Sequence, residues 1–462
     1  MSIFNRKRFS NNFSGLSLVL IIFVLFPVRA DQELPLLGQN ASVNLKKEDV
    51  LGRGLYEKLQ EKGFVIDDPL LSRYLSDIGE SLLSALDIRL RPYRFYLVKD
   101  NSVNAFATPG GYIGVNVGLI ALTRNEDELA AVLAHEIAHV ELMHSLQMIE
   151  KASDVSMAGM ISILAAILMS GQDAEAAGAI LYSGAAGTTQ AMINFTRENE
   201  YEADRVGIEL LKKSEYDPSA MASFMGLLQS KEQTGAVSSI EYLRTHPISA
   251  NRVAEIRSRI TSLDTTPYKF RRYQQFRDYL FYLYPDGIRS YRQTEFAQAL
   301  ELTRHGQYEQ AEALYKRLLK SDPDSLWYNF ALAQNKEFAG YLDEAASLYQ
   351  SMLLLYPGDL AIGLRLISVQ FQQGRLAHSL ELTKSLLSSH EEEFRLHRWL
   401  VDIYMKLENS LMRRLAEADY HWYSGHQEMA TKLYRVLLSE GRLDAVYEAN
   451  VKQKLEQLAS KE

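Results

Sequence analysis

One helix-length segment of the sequence is apolar on nearly every side. Within residues 129–140 only His135, Glu136 and His139 are not apolar. A helix that is apolar all round is buried among other elements, and polar groups inside it must find partners there. The segment therefore predicts a central, buried helix that carries a polar site.

The three polar residues have the spacing of a metal site. His135 and His139 lie four residues apart, so they share one helix face and can bind one ion. Glu136 is offset by one residue, which places its carboxylate near a metal-bound water without making it a ligand. Zinc hydrolases need such a pair of neutral imidazoles and such a general base. Because the chain contains no cysteine, any metal must be held by His, Asp or Glu.

His144 is a weaker candidate for a ligand. It lies five residues after His139, roughly 140° around an ideal helix of 3.6 residues per turn. The sequence therefore predicts that His144 lies at the surface or beside the ligands rather than on the metal.

A third ligand should come from another helix, and residues 197–207 (RENEYEADRVG) offer one. On a helical wheel Glu200, Asp204 and Gly207 fall on the same side. Glu200 would bind the metal, and Asp204 would hydrogen-bond a ligand histidine and fix its orientation. Gly207 would let the two helices approach closely. The alternative is an acidic helix face that is merely solvated.

Segments on the N-terminal side of this helix predict further local structure. RFYLV (94–98) has the composition of a strand, and residues 104–120 contain a Pro-Gly-Gly turn followed by an alternation that indicates a hairpin and a half-buried strand. The strand near 112–118 would pair with an extended substrate by β-addition. Asn125 can cap the buried helix, with Glu128 three residues later as its capping partner.

The N-terminus has the pattern of a secretory signal peptide. Basic residues precede an apolar run over 16–26, and small or branched residues stand just before Asp31, so cleavage is expected near Ala30. An uncleaved anchor is the alternative, although this run is short for a membrane span of roughly 20 residues. The apolar segment 157–169 is also too short to span, and it predicts a packed helix or one that dips into a membrane surface.

The C-terminal part of the sequence contains a repeated pattern. Residues 306–323 and 340–357 align at an offset of 34 residues, a weaker third copy begins at Gly374, and a fourth begins at Gly425, 51 residues further on. The period and pattern resemble the tetratricopeptide repeat, an α-solenoid whose concave face generally binds protein segments. The irregular last spacing indicates an interruption or an extra helix. A plain helical bundle is the alternative.

Three of these motifs together resemble a known family. HEIAH, NEYEAD and NAFATPGG are similar to motifs of the zinc metallopeptidases that include the CAAX prenyl endopeptidases and the heat-shock membrane protease HtpX. The resemblance covers roughly residues 48–260. It implies that His135, His139 and Glu200 hold one zinc ion per chain. It also implies that Glu136 is the general base.

His246 extends the resemblance. It lies in THPISANR (245–252), 46 residues after Glu200, and its His-Pro pair followed by Arg252 resembles a recurring element of these proteases. The resemblance implies that His246 faces the zinc and that Arg252 lies beside the site. His246 would then stabilise the oxyanion of the tetrahedral intermediate, or occupy the fourth coordination position and keep the enzyme closed. A buried structural or helix-capping histidine is the alternative.

The predicted fold is mostly α. An α+β zincin domain of the gluzincin-like type, with HExxH and a small sheet, is followed by an α-solenoid of tetratricopeptide repeats. The predicted domains are a signal peptide (1–30), a zinc metalloprotease domain (31–265) and a repeat domain (266–462). A chain of 462 residues is long for a single core, which agrees with this division.

Signal peptide, protease and repeats together resemble the periplasmic branch of this family. That resemblance implies a chaperone-like endopeptidase that degrades or assists misassembled outer-membrane β-barrel proteins, with unfolded or stalled barrel precursors as substrates. The repeat domain would recruit the β-barrel assembly machinery, and the segment 157–169 would permit peripheral membrane contact. The net charge of −8 provides no basic field, so nucleic acid is not an expected partner.

Two other functions fit the same residues. A repeat-based chaperone or scaffold would contain a zinc site closed by four protein ligands, which is the usual structural arrangement. An integral-membrane protease acting on lipidated peptides would need several membrane spans, and the sequence after residue 30 contains no apolar run of that length.

Overall fold

A computed structural model describes residues 39–89, 91–144, 197–234, 242–260, 272–285 and 294–459. The predicted signal peptide (1–30) and the apolar segment 157–169 lie outside these residues, so both stay predictions. Among the described helices, none has both the length and the apolar content needed to cross a membrane.

The part of the chain before residue 261 combines helices with a small sheet. The strands are β1 (Arg94–Val98), β2 (Ala105–Thr108) and β3 (Tyr112–Asn116). The helices are α1 (Gln39–Glu61), α2 (Pro69–Leu83), α3 (Val117–Leu122), α4 (Glu126–Glu141), α5 (Arg197–Lys213), α6 (Ser219–Thr234), α7 (Tyr242–Thr245) and α8 (Ala250–Ile260). β3 lies between the other two strands, parallel to β1 and antiparallel to β2.

The hairpin between β2 and β3 forms where the sequence predicts it. The segment Pro109–Gly111 makes the turn, and Gly110 and Gly111 have φ angles of 78° and 85°, a region that glycine enters without strain. β1 coincides with the predicted strand RFYLV. The strand expected over 112–118 ends earlier, at Asn116, because α3 begins at the next residue.

The burial of β3 differs from the half-buried strand that its alternation predicts. All five of its residues are buried. Ile113 and Val115 belong to the main core that includes α4, whereas Tyr112 clusters with Leu55 of α1 on the other face. Because β3 pairs on both sides, a substrate chain has no edge to join there, and the predicted pairing over 112–118 is wrong.

α4 is the buried centre of this domain, as the sequence predicts. Every residue from Leu129 to Val140 is buried. The side chain of Asn125 caps the first turn by accepting a hydrogen bond from the backbone N–H of Glu128 at 2.9 Å. The Glu128 carboxylate accepts from the backbone N–H of Arg124 at 2.7 Å, so the reciprocal contact of the capping box falls one residue earlier than expected.

α5 crosses α4 closely at Gly207. A Cβ atom at this position would lie 3.4 Å from the carbonyl carbon of Ala134 and 3.4 Å from the backbone nitrogen of His135. The predicted close approach at Gly207 is therefore confirmed. It places one face of α5 directly against the HEIAH turn of α4.

The C-terminal part repeats a pair of helices. Its helices are α9 (Tyr273–Leu283), α10 (Glu295–Arg304), α11 (Tyr308–Ser321), α12 (Leu326–Phe338), α13 (Leu342–Leu355), α14 (Leu360–Gln372), α15 (Leu376–Leu387), α16 (Phe394–Lys406), α17 (Ser410–Tyr423), α18 (Gln427–Glu440) and α19 (Ala445–Ala459). α11, α13 and α15 begin 34 residues apart, and so do α12, α14 and α16. The predicted fold class is confirmed: a mostly helical chain with a small sheet, followed by helices in a repeated arrangement.

The turn glycines support the predicted register of the four copies. Gly306, Gly340, Gly374 and Gly425 all have a left-handed φ, between 72° and 86°. The irregular spacing before Gly425 comes from an extra helix, because both α16 and α17 lie between α15 and α18. The tetratricopeptide identity and the domain boundaries near residues 30 and 265 stay predictions.

Helix α2 joins the repeated helices to the domain that contains α4. Arg73 forms an ion pair with Asp359, which also caps α14. Tyr74 stacks on Phe276 of α9, with 4.4 Å between the ring centroids. These contacts hold α9 and α14 of the C-terminal part against α2.

Candidate metal centre

Four buried side chains from three segments converge on one point. His135 and His139 come from α4, Glu200 comes from α5, and His246 directly follows α7. One donor atom from each lies within 4.8 Å of the others. The Nε2 atoms of His135 and His139 are 3.0 Å apart. Nδ1 of His246 lies 3.3 Å from Nε2 of His135 and 3.1 Å from Oε1 of Glu200.

The spacing and chemistry of these donors fit a zinc ion. Zinc bonds of about 2.0–2.2 Å in a tetrahedron put neighbouring donors roughly 3.3–3.5 Å apart, which is close to the observed separations. Imidazole nitrogen and carboxylate oxygen are ligands that zinc accepts. Burial alone would raise the pKa of Glu200, but the surrounding histidines, above all His246, hold it well below its ordinary value. The carboxylate is therefore in the charged form that binds metal.

Glu136 lies beside this donor group without belonging to it. Its Oε1 is 3.5 Å from Nε2 of His246, and the backbone amide of Ala107 in β2 interacts with its carboxylate. Burial raises the pKa of Glu136, although His246 and His135 oppose the shift. A carboxyl group with a raised pKa next to a metal site is suited to take a proton from water and release it again.

Asp204 and Arg252 lie behind the donors. Oδ1 of Asp204 is 3.1 Å from Nδ1 of His135. Arg252 donates to both Asp204 oxygens at 2.8 Å. Its Nη1 is also 2.7 Å from Oε2 of Glu200 and donates to the carbonyl of Pro247 at 2.9 Å. Burial would raise the pKa of Asp204, but His135 and Arg252 outweigh burial and lower it. One guanidinium thus connects two buried carboxylates with the segment after α7.

Comparison with known proteins places this site in a family. Residues 69–260 match the profile of peptidase family M48. The beta-barrel assembly-enhancing protease of Yersinia pestis is 31% identical over 335 residues, which make up 67% of this chain and 68% of that protein. The chain belongs to peptidase family M48.

Two further relatives agree with this assignment. A protein of the same name from Escherichia coli K12 is 27% identical over 98% of this chain and 97% of its own length. The mitochondrial metalloendopeptidase OMA1 of Schizosaccharomyces pombe is 30% identical over 40% of this chain and 51% of its own length. The resemblance carried by HEIAH, NEYEAD and NAFATPGG is confirmed, and this M48 chain is a zinc metalloprotease.

The structure places His144 of the M48 site in one of the two positions that the sequence predicts, beside the ligands. His144 is outside the donor group, as expected, but it is 1% exposed and its Nδ1 lies 2.9 Å from Nδ1 of His139. α4 ends at Glu141, and Met143 has a φ of 55°, so the chain leaves the helix before His144. Of the two predicted positions, at the surface or beside the ligands, the structure shows the second, because the chain turns back toward His139 past the end of α4.

Tyr242 is a residue of the M48 site that the motifs do not reveal. Its ring centroid lies 4.6 Å from that of His246, and its carbonyl accepts a hydrogen bond of 2.8 Å from the backbone N–H of His246. Burial raises the pKa of Tyr242 well above its ordinary value, and so does the charge of Glu136. The signal in the sequence is its position four residues before His246, on the same side of one helical turn.

Replacing Arg252 with methionine is expected to destabilise the M48 domain by about 3–5 kcal/mol, because Glu200 and Asp204 would stay buried without their cation. Equilibrium urea unfolding of the zinc-free protein at neutral pH measures this loss, because bound zinc would itself compensate Glu200. Arg257→Met, which changes an exposed arginine of the same helix, is the matched control. A loss below about 1 kcal/mol, the value of an ordinary surface ion pair, would mean that the guanidinium does not compensate these charges.

Proposed function

We propose that this M48 chain is an exported zinc endopeptidase that cleaves unfolded or stalled outer-membrane β-barrel precursors in the periplasm. One observation carries the enzymatic part: three donors from HEIAH and α5 converge at one point while the Glu136 carboxylate lies beside them, outside the donor group. The substrate rests on the name of the relatives, beta-barrel assembly-enhancing protease, and the compartment rests on the pattern of residues 1–30.

We assign the site residues as follows. His135, His139 and Glu200 hold the zinc. When bound there, zinc would supply Lewis-acid chemistry, namely polarisation of a peptide carbonyl and a water that is nucleophilic at neutral pH. Glu136 accepts the proton of the attacking water on its carboxylate and delivers it to the nitrogen of the leaving amine.

Two residues orient the zinc-binding side chains in this proposal. Oδ1 of Asp204, 3.1 Å from Nδ1 of His135, would keep the proton of that ring on Nδ1 and direct the Nε2 lone pair toward the metal. Arg252 neutralises Asp204 and Glu200 together. His135 and Glu200 are therefore presented in a defined orientation before a metal or a substrate binds.

His246 is proposed as a fourth donor that closes the resting site. Its Nδ1 is aimed at the other donors, and its ring is 2% exposed. Its Nε2 lies 3.5 Å from Glu136, so the ring also lies beside the general base. A metal with four protein ligands has no position for a substrate, so catalysis requires His246 to move away. The oxyanion-stabilising role remains the alternative.

An edge strand offers a place for the substrate chain. β2 lies at the edge of the described sheet, and the backbone amide of Ala107 within it interacts with the Glu136 carboxylate. We propose that an extended substrate adds to β2, which brings its peptide bonds past the general base. Main-chain hydrogen bonds do not depend on sequence, so this mode suits unfolded chains.

The repeat array is proposed to recruit substrates or the β-barrel assembly machinery. Its 34-residue helix period and its turn glycines support tetratricopeptide repeats in the predicted domain 266–462. The contacts of α2 with α9 and α14 keep this array next to the protease domain, proposed as 31–265. A captured chain would therefore be held near the metal centre. Residues 157–169 stay a proposed site of peripheral membrane contact.

The test is digestion of an unfolded β-barrel precursor by zinc-loaded protein that lacks residues 1–30. Cleavage of the unfolded precursor is expected, with no cleavage of the folded barrel. A zinc chelator should stop the reaction, and added zinc should restore it. If the precursor survives while zinc is bound, and His246→Ala is equally inert, the alternative of a repeat-based chaperone or scaffold with a structural zinc site is favoured instead.

A further inference from the structure

We propose that His144 is a positioning residue of the metal centre, which accepts a hydrogen bond from His139 and holds that ring in its ligating orientation. The inference rests on the proposed role of His139 as a ligand. The two Nδ1 atoms are 2.9 Å apart, and the rings meet nearly edge to face, with centroids 5.0 Å apart. The opposite nitrogen of His139, Nε2, faces His135 at 3.0 Å and Glu200 at 3.4 Å.

The pattern of donors and acceptors assigns the protons of both rings. A ligating Nε2 must present a lone pair, so the proton of neutral His139 lies on Nδ1. Nδ1 of His144 must then be the acceptor, which leaves the proton of His144 on Nε2. That nitrogen lies 3.5 Å from Oε2 of Glu202, a half-exposed residue of α5. The chain of contacts runs from His139 through His144 to a carboxylate at the surface.

The two histidines of HEIAH are therefore supported differently. The outer nitrogen of His135 faces Asp204, a carboxylate that is itself held by Arg252. The outer nitrogen of His139 faces a neutral imidazole instead. Such partners set ring orientation and ligand basicity in metal sites. Loss of His144 should thus affect the metal and not only the packing around α4.

The backbone gives an independent reason to assign a role to His144. Met143 adopts a φ of 55°, a left-handed conformation that is strained for a residue other than glycine and persists where the surroundings require it. This turn follows directly on the last hydrogen bonds of α4, which Leu142 and Met143 donate to Ala138 and Val140. This turn places His144 next to Nδ1 of His139, on the side of the ring that faces away from His135.

Zinc affinity is the property to measure. The His144→Leu variant is expected to bind zinc about 10–100-fold more weakly, the usual effect of losing such a partner. Competition with a chromophoric chelator gives the dissociation constant. The visible absorption bands of the Co²⁺-substituted protein should also shift, because they report ligand geometry. His144→Asn, whose amide oxygen can still accept a hydrogen bond, should recover part of the affinity.

Matched variants separate positioning from folding. Glu198→Gln removes an exposed carboxylate of α5 and should leave the zinc affinity unchanged. Met143→Gly keeps the turn and should keep the affinity. Unchanged affinity and Co²⁺ spectrum in His144→Leu would overturn the proposal, as would an equal loss of melting temperature with and without zinc. If His139→Ala binds zinc like the wild type, the ligand assignment itself fails, and this inference fails with it.

Discussion

The Glu136→Gln variant is expected to cleave an unfolded chain about 10²–10⁴-fold more slowly than the wild type, the usual contribution of a general base. Glutamine has the size of glutamate but cannot take a proton from water. The zinc content should stay unchanged, because Glu136 is outside the group of four donors. The variant is therefore expected to lose most of its catalytic rate while it keeps its zinc.

Single-turnover cleavage of a fluorogenic peptide from a barrel precursor measures the effect, with zinc content determined in the same preparations. Glu198→Gln is the matched control, since it changes an exposed carboxylate of α5. A Glu136→Gln variant with the wild-type rate would assign the proton transfer to another group. A variant that has lost its zinc would make Glu136 a ligand rather than a base.

The part of the site that lies on two helices could be predicted from the sequence. The spacing of His135 and His139 defines one face of α4, and the spacing of Glu200 and Asp204 defines one face of α5. These are properties of any α-helix. Gly207 predicts that the two helix faces approach each other closely, and the structure shows that approach.

Other features depend on tertiary structure and could not be derived in this way. His246 is 46 residues from Glu200, and its place beside the donors was expected only from the resemblance to a family. The burial of both faces of β3 depends on α1, which packs on the side where solvent was expected. His144 returns to the site only because α4 ends before it and Met143 turns the chain.

The repeat array, too, could be predicted from the sequence only in part. A period of 34 residues follows from copies that resemble each other, and the helices keep that period. The segment with the irregular spacing carries no repeat signature. Its sequence is therefore compatible with an interruption of the array or with an extra helix. The structure contains an extra helix, α17, which packs extensively on both α16 and α18. A helix can be added to a solenoid wherever its apolar face meets its neighbours.

The His246→Ala variant is expected to cleave unfolded substrate about 10–10³-fold faster than the wild type, if the open state of the resting enzyme is a minor state of roughly 0.1–10%. The geometry favours this outcome over a loss of activity. Nδ1 of His246 lies among the donors, at 3.1 Å from Glu200 and 3.3 Å from His135. Tyr242 packs against the ring at an interplanar angle of 31° and supports it there. In our proposal, a residue in that position would block the fourth site of the metal.

Initial rates at matched zinc content measure the change, with a folded protein as a second substrate to detect uncontrolled proteolysis. The double variant Glu136→Gln/His246→Ala should be inactive, because the gain must use the same general base. Weaker zinc binding by His246→Ala would agree with the loss of one donor. A lower rate with zinc fully bound would instead assign His246 to the oxyanion, since that role requires the imidazole in the transition state. The direction of this one change therefore decides whether His246 restrains the reaction or takes part in it.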